Sequence, residues 1–271
     1  MECLRSMDST TLQTADAVLS PFPCANENPN WYFLPVIDGG FSPKDLYSLF
    51  EQGTFIKVPS IVGDDTDEGT SFAANASTSD EFLDFIKSNY PHLTNSDLQS
   101  INESYPLMPS LPEHGAWFPS ASAAYGEATF TCPGLEISSS FAQYFSADLT
   151  WNYRYDVIDW DDVQQGLGVP HVSEKPAIFG PGHSNLCSGG CSYETYNAAI
   201  VPIMMDYWIS FIITLDPNSY KNPAAPQWEA FGSGAGQRLR FQTNASAMES
   251  VPSDQNDRCA MWKKLAPTSE Q

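Results

Sequence analysis

Two titratable side chains in this 271-residue sequence, Glu68 and His171, occupy positions suited to acid–base chemistry. Glu68 closes the acidic stretch Asp64-Asp65-Thr66-Asp67-Glu68-Gly69, which follows a short apolar run, Val58 to Gly63. Such a run bounded by turn residues reads as a buried strand with acids just past its C-terminal end. His171 lies in a Gly-rich loop after Leu149 to Val157, a segment that alternates large and polar residues and reads as a second strand. In open α/β sheets reacting groups gather beyond the C-terminal ends of the strands. A carboxylate that accepts from one imidazole nitrogen fixes the tautomer and stabilises the imidazolium. The other nitrogen can then take a proton from a hydroxyl nucleophile. Glu68 and His171 are therefore the expected acid and base.

Other residues compete for these roles. Asp64, Asp65 and Asp67 read as solvated acids of the same turn. A calcium loop starting at Asp64 or Asp65 fails, because the Gly and the terminal Glu miss the required offsets. His92, after Pro91, and His114, in Pro-Glu-His-Gly, read as exposed loop residues, which leaves His183 as the rival base. His183, Cys187 and Cys191 are evenly spaced but lack an evident fourth zinc ligand, and paired cysteines are the simpler reading. Tyr125, Phe130, Phe141 and Tyr144 are candidates to line an acyl or alcohol pocket.

The elements that must position the pair follow from the hydrophobic pattern. Thr11 to Leu19 reads as a helix with Thr10 and Gln13 spaced as a capping box. Pro21 to Asp38 reads as a loop. A second helix is expected from Ser42-Pro43 to Gly53, with Leu46, Leu49 and Phe50 on one face. Amphipathic helices are expected over 79–90, with Phe82, Phe85 and Ile86 inward, and over 95–104, and further helix within 122–147. Tyr193 to Leu215 is apolar all round and reads as a buried helix, kinked by Pro202 and Asp206, not a membrane span. Arg238 to Thr243 alternates as a late strand, and Asp254 to Leu265 closes as a helix. Strands alternating with helices define an α/β layered fold.

Composition excludes several functions. Acidic residues number 33 against 12 basic, for a net charge of −21, which repels nucleic acid and anionic lipid headgroups. The acids are spread through ordinary sequence that is 42% apolar, enough for a real core. Sequons at Asn75, Asn102 and Asn244, together with six cysteines, point to an exported protein. The cysteines allow 15 pairings. The start, Met-Glu-Cys-Leu-Arg, carries no apolar signal core, which suggests that sequence is missing before it.

Gly63-Asp64-Asp65-Thr66-Asp67-Glu68-Gly69-Thr70 resembles the G-x-x-x-D-E-G-[ST] signature of the type-B carboxylesterase, cholinesterase and fungal lipase family. Val169-Pro170-His171-Val172-Ser173-Glu174 through Ala177-Ile178-Phe179-Gly180 is similar to that family's histidine loop. Glu2-Cys3-Leu4-Arg5 resembles the segment after its nucleophile-bearing helix, and Val36 to Gly39 and Phe55 to Pro59 resemble the approach to its acid strand. The resemblance implies that residues 1–271 form the C-terminal portion of one α/β-hydrolase domain, with a central, mostly parallel sheet flanked by helices. It implies carboxylic-ester hydrolysis with Glu68 as triad acid and His171 as base, on small-molecule or lipid esters, by a secreted protein needing no metal or organic cofactor. It also implies that Cys3 pairs with an upstream cysteine. Two family features are absent from these residues: a G-x-S-x-G nucleophile elbow and the Gly-Gly oxyanion segment. Gly-His-Ser-Asn-Leu at 182–186 fails the elbow pattern at its last position. The chain alone is thus expected not to turn over esters. The alternative is a hydrolase-fold binding protein or pseudoenzyme.

Overall fold

The computed structural model describes residues 2–19, 35–187, 189–233 and 236–269. In chain order the elements are α1 (Glu2–Ser6), α2 (Ser9–Leu19), α3 (Leu46–Glu51), β1 (Ser60–Asp65), α4 (Ser79–Asn89), α5 (Asn95–Ser104), α6 (Phe118–Gly126), α7 (Cys132–Tyr144), β2 (Thr150–Tyr155), α8 (Trp160–Gln164), α9 (Lys175–Phe179), α10 (Ile200–Thr214), β3 (Gln237–Phe241), β4 (Ala247–Ser250) and α11 (Ser253–Ser269). The sheet runs β1-β2-β3-β4, with β1, β2 and β3 parallel and β4 antiparallel at the end. Register pairs Ser60 with Thr150 and Asp65 with Tyr155, so the C-terminal ends of β1 and β2 finish side by side.

Strand β2 is covered on both faces. Trp151, Tyr153 and Tyr155 join Leu239, Phe241, Tyr207 and Trp228 in one core, beneath α10. On the opposite face Asn152 Nδ2 donates to Ser138 Oγ of α7, which satisfies a buried polar group. A second core forms among helices, where Phe82, Phe85, Ile86, Leu93, Ile101 and Tyr105 pack against Trp262 of α11. Phe82 and Ile86 are fully buried, as their spacing predicts. Burying each such side chain contributes about 1.5–3 kcal/mol. Thr94 caps α5 reciprocally with Asp97, and Thr78 caps α4 at Glu81.

Between α6 and α7 the expected helix widens into a π-helical turn, Glu127–Thr131. That turn is pinned to α11. Arg258 donates to both oxygens of buried Glu127, at 2.7 Å each, and Tyr105 Oη donates to Glu127 Oε2 at 2.6 Å. One residue further on, Cys132 is disulfide-bonded to Cys259. The other described disulfide joins Cys187 to Cys191, which excludes both as zinc ligands, while Cys3 is exposed and bonded to no cysteine among the described residues.

Several expectations need correction. Helix α2 begins at Ser9, and its first turn is capped by Asp8, which accepts from the Thr11 N–H; Thr10 and Gln13 form no capping box. Helix α3 starts only at Leu46, capped by Asp45, and buries Tyr47 while Leu46 is exposed. The Pro21 to Asp38 loop lies mostly outside the described residues. Helix α10 begins at Ile200, so Pro202 falls in the first turn, where a missing N–H costs nothing, and Pro202 produces no break. Nor is α10 buried all round: Ile212 and Ile213 are 73% and 66% exposed. Arg238 is also buried, because β4 supplies Glu249, whose Oε1 accepts from Arg238 and Arg154 at 2.8 Å.

Candidate active site

The strand carrying the acids runs two residues later than the sequence suggests, so Asp64 and Asp65 end β1 instead of lying in a solvated turn. A 3-10 turn, Glu68–Ser71, then begins at Glu68. It sits directly on α6, because Gly69 has no side chain: a Cβ there would fall 1.9 Å from the Ser122 carbonyl oxygen. Glu68 is thereby buried at the mouth of the sheet.

The histidine loop is fastened to this strand end by the acids. Asp67 N–H donates to Val169 O at 3.0 Å, and Asp67 Oδ2 accepts from Val169 N–H at 2.9 Å. Gly168 has φ 69°, and a Cβ on it would lie 2.2 Å from Asp67 Oδ2, so both conformation and space require glycine there. Thr70 Oγ1 donates within reach of both Asp67 O and Leu167 O. Asp65 Oδ2 accepts from Val172 N–H at 2.8 Å, and Asp64 Oδ2 from Thr131 Oγ1 at 2.8 Å. The acids read as solvated are thus half-buried or buried acceptors. Burial pushes Asp64 up to about 6, opposed by Arg238, and raises Asp67 in the same direction.

Glu68 and His171 meet as expected. Nδ1 of His171 lies 2.5 Å from Glu68 Oε2, and Glu68 Oε1 accepts from Asp65 N–H at 2.9 Å. The hydrogen bond to Glu68 raises His171 above the usual imidazole value, against the partial burial of the ring. Phe72 and Phe130 hold the ring, with centroids at 5.1 and 4.8 Å. With Nδ1 committed to Glu68, Nε2 is the nitrogen left to exchange a proton. Oxygens of Asp65 and Glu68 and a His171 nitrogen lie within 4.8 Å of one another, the one such metal-competent cluster among the described residues. Its atoms already serve the hydrogen bonds just given. A cavity of about 260 Å³ opens behind Glu68 and is lined by Thr70, Met108, Pro119, Ser122 and Gln255, without His171.

Of the other candidates, Phe130 reaches the site, whereas Tyr125 packs in the helical core, Phe141 stacks on Phe55, and Tyr144 Oη bonds Glu51 O. His183 lies in an exposed turn and His92 is exposed. His114 is half-buried and stacks on Phe118 at 3.7 Å, so it is not the exposed loop residue expected. The sequons lie elsewhere. Asn75 and Asn244 are exposed, and Asn102 is half-buried with Oδ1 accepting from Ser79.

A mostly parallel sheet whose adjacent strand ends present a buried acid bonded to a histidine, with helices on both faces, is the α/β-hydrolase arrangement. The sequence profile of the carboxylesterase family matches residues 1–262, and the chain belongs to that family. It is 27% identical to secreted lipase 4 of Gibberella zeae, over 85% of this chain and 40% of the relative. It is 23% identical to the acetylcholinesterase of Bungarus fasciatus, over 98% of this chain and 44% of the relative. The crystal structure of Aspergillus niger EstA superposes with a TM-score of 0.91 at 49% identity, over 100% of this chain and 52% of that one. The chain therefore spans about two fifths to one half of the proteins it matches.

Proposed function

We propose that this chain supplies the acid and the base of a Ser–His–Glu ester hydrolase, the serine and oxyanion donors lying in sequence outside residues 1–271. The observation that carries this reading is the 2.5 Å contact between His171 Nδ1 and Glu68 Oε2, with Glu68 buried. A binding module has no need of that pair. In the intact enzyme His171 Nε2 takes the serine proton as the oxygen attacks the ester carbonyl. It then returns the proton to the leaving alcohol, and repeats the cycle with water to release the acid. Glu68 holds the tautomer and stabilises the imidazolium. Upstream backbone amides hold the oxyanion.

The partner that completes the site is the N-terminal part of the same domain. Strand β1 has no strand on its outer edge among the described residues, and Ile56 and Phe41 are exposed apolar residues that such a part can cover. The substrates are carboxylic esters, small-molecule or lipid. No described helix is long and apolar enough to cross a membrane. Two relatives are named as secreted lipases, and with the two disulfides and the exposed Asn75 and Asn244 they support an exported, glycosylated protein.

The pure chain, assayed with p-nitrophenyl esters, is expected to give no turnover above buffer. Hydrolysis that disappears with His171→Ala would show that the chain carries its own nucleophile and overturn that part of the reading.

A further inference from the structure

The residue after the base, Val172, has φ 68°. A β-branched residue in the left-handed region is a strained conformation that persists only where its surroundings impose it. What holds it is Asp65, whose Oδ2 accepts the Val172 N–H at 2.8 Å. The backbone N–H of the same Asp65 donates to Glu68 Oε1 at 2.9 Å. Asp65 thus touches the acid with its main chain and the histidine loop with its side chain.

The other oxygen of Asp65, Oδ1, is buried without a conventional donor, and so is Oε2 of Glu174, three residues after His171. Glu174 acts on Asp65 both through its charge and as a hydrogen-bonding side chain. Two ionised carboxylates in that position, with Glu68 beside them, repel one another in a low-dielectric site, whereas one proton between them satisfies both orphaned oxygens. The other titratable groups around the pair are His171 from the loop, Tyr153 and Tyr155 from β2, and Tyr193. Asp64, next in β1, turns instead to Thr131 and the Arg238 charge.

We propose that Asp65 and Glu174 share one proton and act as a clamp that fixes Val172, which makes Asp65 a positioning residue for His171. The significance for catalysis rests on the reading of His171 as the base; the clamp itself does not. Burial and the neighbouring charges of Glu174 and Glu68 raise Asp65 well above the usual carboxylate range, in keeping with a retained proton. When alkali removes that proton, two adjacent negative charges loosen the clamp and release the Val172 amide.

The test uses the 271-residue chain, isotope-labelled, and follows two signals from about pH 5 to about pH 9: hydrogen-exchange protection of the Val172 amide and the downfield Nδ1–H resonance of His171. In the wild-type chain protection is expected to fall by about tenfold or more toward alkaline pH. Asp65→Asn keeps an acceptor for Val172 and offers an amide hydrogen to Glu174, so it should retain both signals with a flat profile. Asp65→Ala should lose Val172 protection at every pH. Identical pH profiles for the wild type and Asp65→Asn would refute the shared proton, and that comparison stands even if Asp65→Ala does not fold. Full protection in a folded Asp65→Ala would refute the clamp. Neither readout requires ester turnover, so an inactive site leaves the result intact and a failed clamp leaves the esterase reading standing.

Discussion

Gly69 separates the acid from the helix it rests on, and Gly69→Ala is a sharp test of how Glu68 is placed. The added Cβ would lie 1.9 Å from Ser122 O, 2.8 Å from the Ser122 carbonyl carbon and 2.9 Å from Gly126 N. All three are backbone atoms of α6, so no side chain can swing aside. Relief requires the turn and the helix to separate by about 1 Å or more. Overpacking usually costs about 1–3 kcal/mol, and a backbone clash belongs at the upper end. The loss of chain entropy in the unfolded state returns less than about 1 kcal/mol. The expected net loss is about 2–3 kcal/mol, read as a lower urea midpoint at unchanged slope. The same displacement moves Glu68 by a large fraction of its 2.5 Å contact with His171, so the downfield His171 resonance should shift or vanish. Gly134→Ala is the control, since its Cβ would meet only Val62 Cγ1, at 3.6 Å, within α7. It should be neutral or stabilising by up to about 1 kcal/mol. Equal stability of the two variants, with the His171 resonance unchanged in Gly69→Ala, would refute this account of the acid's placement.

Two further outcomes are expected. Replacing Cys259 by Ala opens a cross-link spanning 127 residues between α7 and α11, which chain entropy values at about 4–5 kcal/mol; calorimetry should show a large loss of thermal stability. Stability should also fall as pH rises from about 4 to about 7. Burial raises Asp64, Asp65 and Asp67, so the native chain keeps protons that the unfolded chain has released, and the slope is negative through the Asp64 value of about 6. His171, also raised, contributes stability that is fully present below its unfolded value of 6.5 and lost as pH passes its native one. Urea midpoints that rise over this range would contradict the assignment.

The pairing of Glu68 with His171 was legible because each follows a strand-like run and sits in a distinctive local pattern, Asp-Glu-Gly-Thr for Glu68 and Pro-His-Val-Ser-Glu for His171. The α/β layering was legible from the same runs, and Phe82, Phe85 and Ile86 marked their core face correctly. The acids around Glu68 were misread because solvation is a tertiary property. What buries Asp65 and Asp67 is a loop about 100 residues later, whose Val169 and Val172 amides they accept. The burial of Arg238 left no signal for the same reason, since its partner Glu249 comes from β4, a short antiparallel edge strand with little alternation. The π-helical turn at Glu127–Thr131 leaves no periodicity signal, and its anchor Arg258 lies 131 residues from Glu127.

The central claim is that His171 is the base of an ester hydrolase completed by upstream sequence. Its most direct test joins this chain, in frame, to the upstream segment of a family member carrying a G-x-S-x-G elbow, and measures p-nitrophenyl ester hydrolysis against pH. The account predicts turnover that rises with pH on a limb above the usual imidazole value and falls by about 10⁴-fold or more with His171→Ala. A folded chimera that hydrolyses the ester equally well without His171, or not at all with it, would contradict the account.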